Sequence, residues 1–111
     1  MLPYLLMSKA KLLQQIRADL ERDLPTLPLG DIDELTVPGD GNAEAELMFI
    51  GEAPGYYESV QRKPFVGKSG QFFTKTLEKI GFPRETVYIT NIVKVRPPEN
   101  RDPLPAEIAA Y

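Results

Sequence analysis

The chain has 111 residues, a formal net charge of −3 and 42% hydrophobic residues, enough for one small domain with a core and not for two. It contains no histidine and no cysteine, which excludes the commonest general base, a Ser–His–Asp triad, zinc sites of the usual donor set, and disulfides. No apolar run approaches bilayer-spanning length.

The opening MLPYLLMSKAKLL carries its lysines after a short apolar patch and has no small-residue cleavage site, so it does not read as a secretory signal. The expected location is the cytoplasm. Charge is unevenly spread: residues 1–61 sum to −7, residues 62–101 to +6, and the last ten to −2. A basic block within an acidic chain points to a local anionic partner such as nucleic acid, or to a solvated charged face.

Residues 4–22 have the spacing of an amphipathic helix, with Leu5, Leu12, Ile16 and Leu20 on one face and Leu13 beside them. Pro25 and Pro28 end it, and residues 23–45 read as loop, with VPGDGN a strong turn signal. AELMFI, residues 45–50, is predicted to be a strand buried on both faces between helices. Residues 51–67 then form a long loop punctuated by Pro54, Gly55, Pro64 and Gly67.

A helix is predicted over 69–80, with Ser69 as N-cap, Phe73, Leu77 and Ile80 as its buried stripe and Gly81 as its stop. TVYITNIV, residues 86–93, is rich in β-branched residues and reads as a second strand. RPPENRDPLP cannot continue a regular element, and Pro105 opens a last helical turn with Glu107 well placed in it. This alternation predicts a parallel α/β sheet whose functional loops lie beyond the C-terminal ends of the strands. Two strands make a poor sheet alone, so the pattern is that of half a domain.

FVGKSG invites a phosphate-loop reading, but the first glycine of that motif would fall at position 62, which is Arg62. What remains is a site at the strand ends. Gly51 stops the first strand and Glu52 follows it, on a loop stiffened by Pro54 and Gly55. Asn91 interrupts an apolar strand near its end, where a buried amide needs a partner. By default that partner is neighbouring loop backbone, Phe65 is a core plug, and the loop cations face solvent.

Three stretches, GEAPG, KPFVGKSGQ and VYITNIVKVRPPENRDPLPAEIAA, together resemble the family-four uracil-DNA glycosylases, with Phe65 thirteen residues beyond Glu52. The match runs from Leu24 to Tyr111. The resemblance implies an α/β fold of three α/β/α layers around a parallel sheet, of which only the N-terminal part is present. It divides the chain into an N-terminal helix, 1–23, and a motif-bearing region, 24–111, of a single incomplete domain.

It also implies an activity, the hydrolysis of the N-glycosidic bond of uracil flipped out of DNA. On this reading Glu52 is the catalytic acid, orienting water and stabilising positive charge on the sugar. Phe65 is the ring on which uracil stacks, Asn91 pairs with the uracil edge, and Gly51 and Ala53 complete the base site. Arg62, Lys63, Lys68, Lys94, Arg96 and Arg101 become candidate DNA contacts. The partner is uracil-containing DNA.

The sequence departs from the family in two respects. The family holds an iron–sulfur cluster on four cysteines, and the matching positions here are Leu24, Leu27, Val95 and Tyr111. No cofactor is therefore expected, and either an apolar plug joins the two segments or the copy has drifted. The family's later motif supplies a histidine that donates to the departing base, and this sequence ends before that motif. The alternative to a glycosylase is a non-catalytic nucleic-acid-binding remnant or assembly partner. An uncovered sheet edge gives the further expectation of self-association or of a second polypeptide that completes the sheet.

Overall fold

The computed structural model describes residues 7–32 and 34–111. Leu5 and the predicted start of the first helix lie outside them. Helix α1 runs Lys9–Asp23, capped by Ser8, whose hydroxyl accepts the Lys11 N–H at 3.2 Å. A 3₁₀ turn, Leu24–Thr26, follows it. Leu12, Leu13 and Leu20 are half-buried, but Ile16 is exposed, contrary to the amphipathic reading. No residue of α1 is fully buried, because the helix rests on the domain rather than inside it.

Among the described residues the sheet has three strands, β1 (Asp40–Gly41), β2 (Met48–Gly51) and β3 (Tyr88–Asn91), in the order β1-β3-β2. Strand β2, Met48–Gly51, pairs in parallel with β3, Tyr88–Asn91, as the alternation predicted. Strand β1, Asp40–Gly41, pairs antiparallel with β3 and makes the sheet mixed. Residues 23–45 are thus not all loop: Thr36 also bridges Val95, and the Val37 N–H donates to the Lys94 carbonyl at 2.7 Å.

Phe49 and Gly51 of β2 face the same side as Ile89 and Asn91 of β3, their register partners. On that side Leu77 of helix α3, Lys68–Lys79, packs with Val87 and Ile89, and Phe49, Phe65 and Phe73 close the cluster. The opposite face corrects the expectation of a strand buried on both sides. Met48 and Ile50 are 57% and 61% exposed, and an open cleft lined by residues of α1 and by Met48, Tyr88 and Thr90 lies between the helix and this face.

Three local expectations change. The loop 51–67 contains a short helix, α2, Tyr56–Gln61. Helix α3 is capped by Gly67, not Ser69. Ile80 is 63% exposed, since it stands at the C-cap beyond the last packed turn. Gly81, at φ +89°, provides the left-handed stop that the sequence predicted. Helix α4, Pro105–Ala110, opens on its proline, and the buried Glu107 carboxylate accepts the Leu104 N–H at 2.8 Å.

Candidate base-binding site

Gly51 and Asn91 end β2 and β3 as register partners, so the parallel pairing alone brings the two motifs together. The Ile92 N–H donates to the Gly51 carbonyl at 2.9 Å and the Val93 N–H to the Glu52 carbonyl at 3.0 Å. The backbone of Glu52 is thereby pinned to the segment after β3. Its carboxylate is exposed and makes no hydrogen bond or ion pair among the described residues.

Gly51 has to be glycine for steric reasons. A Cβ there would stand 2.3 Å from Asn91 Oδ1 and 2.8 Å from Phe65 Cε1. The bare backbone is the floor on which the Asn91 amide and the Phe65 ring converge. Asn91 is 2% exposed, yet its side-chain amide makes no hydrogen bond to loop backbone among the described residues. It lines a cleft of about 500 Å³ together with Phe65, Ala53, Tyr56, Lys68 and Phe73.

Phe65 stacks edge-on against Phe73, with ring centroids 5.1 Å apart, and Phe73 stacks in turn on Phe49 at 4.9 Å. Its backbone is unusual, with φ at +57°. A non-glycine residue in that region costs about 1–3 kcal/mol and persists only where surroundings enforce it. Gly70 helps to enforce it: a Cβ there would meet the Phe65 carbonyl carbon at 2.2 Å, so α3 presses its backbone directly against this turn.

A residue that sequence reasoning missed organises the site. Glu58, on α2, accepts the Gly55 N–H at 3.0 Å, the Val66 N–H at 2.9 Å and the Gly67 N–H. One carboxylate thus joins the turn after Glu52 to the loop bearing Phe65 and satisfies an N-terminal amide of α3. The available signal was an acid three residues after the Pro54–Gly55 turn, at a helix N3 position.

The six candidate DNA cations divide into two groups. Arg62 donates to the Glu21 carboxylate and, at 2.9 and 2.7 Å, to the Thr36 carbonyl and hydroxyl. Arg96 donates to Glu34 at 3.1 Å and Asn100 at 2.6 Å and lies over the Tyr56 ring. Arg101 forms a two-pronged pair with Glu107 at 2.8 and 2.9 Å. Lys94 donates to the Asn91 and Ile92 carbonyls, and burial lowers its ammonium from lysine's ordinary range. Only Lys63 and Lys68 are exposed without such a contact among the described residues, and Lys68 stands at the rim of the cleft.

Leu24, Val95 and Tyr111 share one apolar cluster with Leu29, Ile32, Ala53 and Val93. Leu27 lies beside it in the turn, half-buried. The Tyr111 hydroxyl donates to the Pro28 carbonyl at 2.6 Å. Three aliphatic side chains and an engaged phenol offer no thiolate, so these positions do not fit an iron–sulfur cluster.

The family model of the uracil DNA glycosylase superfamily matches residues 38–111, and the chain belongs to that superfamily. A Type-4 uracil-DNA glycosylase of Saccharolobus solfataricus is 50% identical over 94 residues, which are 84% of this chain and 44% of that protein. Another, of Archaeoglobus fulgidus, is 56% identical over 72 residues, 65% of this chain and 36% of that protein. A third, of Sulfurisphaera tokodaii, is 52% identical over 75 residues, 67% and 34% respectively. The chain therefore spans less than half the length of these relatives, and their type agrees with the resemblance carried by its three motifs.

Proposed function

We propose that this chain carries the base pocket of a uracil-DNA glycosylase, and that the pocket acts in excising uracil from DNA. The observation that supports it most is the convergence of Asn91 and Phe65 in one cleft of a superfamily member, with the bare Gly51 backbone close against both. Asn91 offers a carbonyl and an amide side by side, the pairing that the N3–H and O4 of uracil require and that cytosine reverses. Phe65 supplies a face for stacking, worth about 1–3 kcal/mol per base. Ala53 lines the same cleft.

In this reading Glu52, from its pinned backbone, orients the attacking water and faces the positive charge that grows on the sugar as the bond to uracil breaks. Lys63 and Lys68 are the readiest phosphate contacts, whereas Arg62, Lys94, Arg96 and Arg101 reach DNA only by giving up or sharing internal partners. The protein works without an iron–sulfur cluster, its two segments joined by the apolar cluster around Val95. It acts in the cytoplasm; no described helix is long and apolar enough to cross a membrane. The exposed β2 edge is completed by a second polypeptide or a second copy.

The test is base release from an oligonucleotide with one uracil, at single turnover and low salt. Abasic-site formation that both Glu52→Ala and Asn91→Ala abolish supports the reading; release unchanged by either refutes these roles. A second reading, a pocket that binds but does not cleave, is favoured by the lack of any histidine in the chain and by the position of the Glu52 carboxylate outside the residues lining the cleft. Selective binding of uracil-containing DNA with no product would be its signature.

A further inference from the structure

The left-handed turn at Phe65 is gripped from behind by Arg84, a residue that neither the motifs nor the pocket reading brings forward. Arg84 opens the 3₁₀ turn Arg84–Thr86 between α3 and β3. Its side chain is 20% exposed, and its guanidinium donates to the Phe65 carbonyl at 2.9 Å and to the Pro64 carbonyl. It also reaches the Thr74 hydroxyl of α3 at 3.4 Å and the Asp40 carboxylate of β1 at 3.7 Å. The cation thus joins the loop to a helix and a strand.

The two carbonyls matter because of what lies between them. The Pro64 carbonyl precedes φ of Phe65 and the Phe65 carbonyl follows its ψ, so their relative direction is set by those two angles. A rigid planar fork that satisfies both carbonyls fixes both angles. On the far side of the same peptide, Glu58 takes the Val66 N–H. The peptide linking Phe65 to Val66 is held at its oxygen by a cation and at its nitrogen by an anion.

We infer that Arg84 is a positioning residue for base recognition: it holds Phe65 in its left-handed conformation and so sets the ring against Gly51 and Asn91. This rests on the reading of Phe65 as the stacking ring. Arg84 lies in the groove on the other side of Phe65 and does not touch the base itself. Lysine cannot replace it fully, since an ammonium lacks the planar fork that spans two successive carbonyls.

The experiment compares wild type, Arg84→Met, Arg84→Lys, Phe65→Ala and the Phe65→Ala/Arg84→Met double variant. Two quantities are measured: nuclear Overhauser contacts from the Phe65 ring to Gly51 and Phe73, and the ratio of affinities for a single-uracil oligonucleotide and its thymine counterpart. Arg84→Met should lose the ring contacts and about tenfold of the uracil preference, the scale of one base–aromatic stack. Arg84→Lys should fall between, and Arg84→Met should cost nothing further once Phe65 is alanine.

Unchanged ring contacts and preference in a folded Arg84→Met, or losses that add to those of Phe65→Ala, would overturn the inference and leave Arg84 a merely structural arginine. A wild type with no uracil preference would sink the pocket reading instead. The ring contacts then decide alone whether Arg84 holds Phe65.

Discussion

The hydroxyl of Tyr111 donates to the carbonyl of Pro28 at 2.6 Å, across 83 residues of chain, and so fastens the end of α4 to the turn after α1. Burial, aided by the nearby Glu107 charge, pushes this phenol up to about 12 from an ordinary 10.0. The folded state therefore holds the proton more tightly than the unfolded chain. The stabilisation is complete below pH 10 and is lost as pH rises through about 12. Tyr111→Phe should lower stability at neutral pH by about 1 kcal/mol and flatten the alkaline decline. Denaturant midpoints taken across that window check both effects; a decline identical to wild type would assign the alkaline lability elsewhere.

Glu107 makes the opposite prediction. The Arg101 guanidinium and the Leu104 amide lower its carboxyl to about 2, from a reference of 4.5. Its contribution is present above the unfolded value and is lost as pH falls from about 4.5 to about 2. Glu107→Gln should melt lower at neutral pH and show a shallower acid decline than wild type. Parallel acid titrations of the two proteins, followed by circular dichroism, would argue against this role.

For Glu58, the expected loss comes from geometry rather than titration. An amide in its place keeps only one acceptor oxygen, so Glu58→Gln orphans either the Gly55 N–H or the Val66 and Gly67 N–H groups together. The cost is about 1–3 kcal/mol, with hydrogen exchange at these amides accelerated more than along α3. Exchange that rises uniformly along the chain would mean that Glu58 supports the fold in general and not this loop.

Gly51→Ala tests the close approach of Asn91 and Phe65 to the Gly51 backbone. The new Cβ would force Asn91 or Phe65 aside, because it would stand 2.3 Å from one and 2.8 Å from the other. Overpacking of this kind costs about 1–3 kcal/mol, and affinity for uracil-containing DNA should fall about tenfold or more. Competition binding measures it. An alanine variant with wild-type affinity would show that the cleft does not use this convergence.

The strand ends were legible because an apolar run that stops at a glycine, and another interrupted by an asparagine, each record a change from packing to presentation. Strand β1 was not: Asp40–Gly41 is two residues long and carries no alternation. Helix α2 was hidden by YYESVQ, in which Tyr56, Tyr57 and Val60 are all exposed and no buried stripe exists to be read. Ile16 and Ile80 mislead in the same way, since periodicity reports which residues could be buried, not whether anything arrives to bury them. Glu58 was legible only as an acid at a helix N3 position; its reach to backbone amides up to nine residues away is encoded by no side-chain pattern.

Arg62 ends α2 in a left-handed cap and reaches back to Glu21, with which it forms an ion pair between partly exposed side chains. Since α1 buries no side chain completely, this ion pair and the Thr36 hydroxyl that donates to the same carboxylate tie it to the rest of the molecule. Such a tether is weakened by dissolved electrolyte, as protein–phosphate contacts are. Raising ionic strength should then slacken the first helix as well as weaken the DNA binding proposed above. Measuring Glu21→Gln, with the tether already cut, beside the wild type separates the two effects.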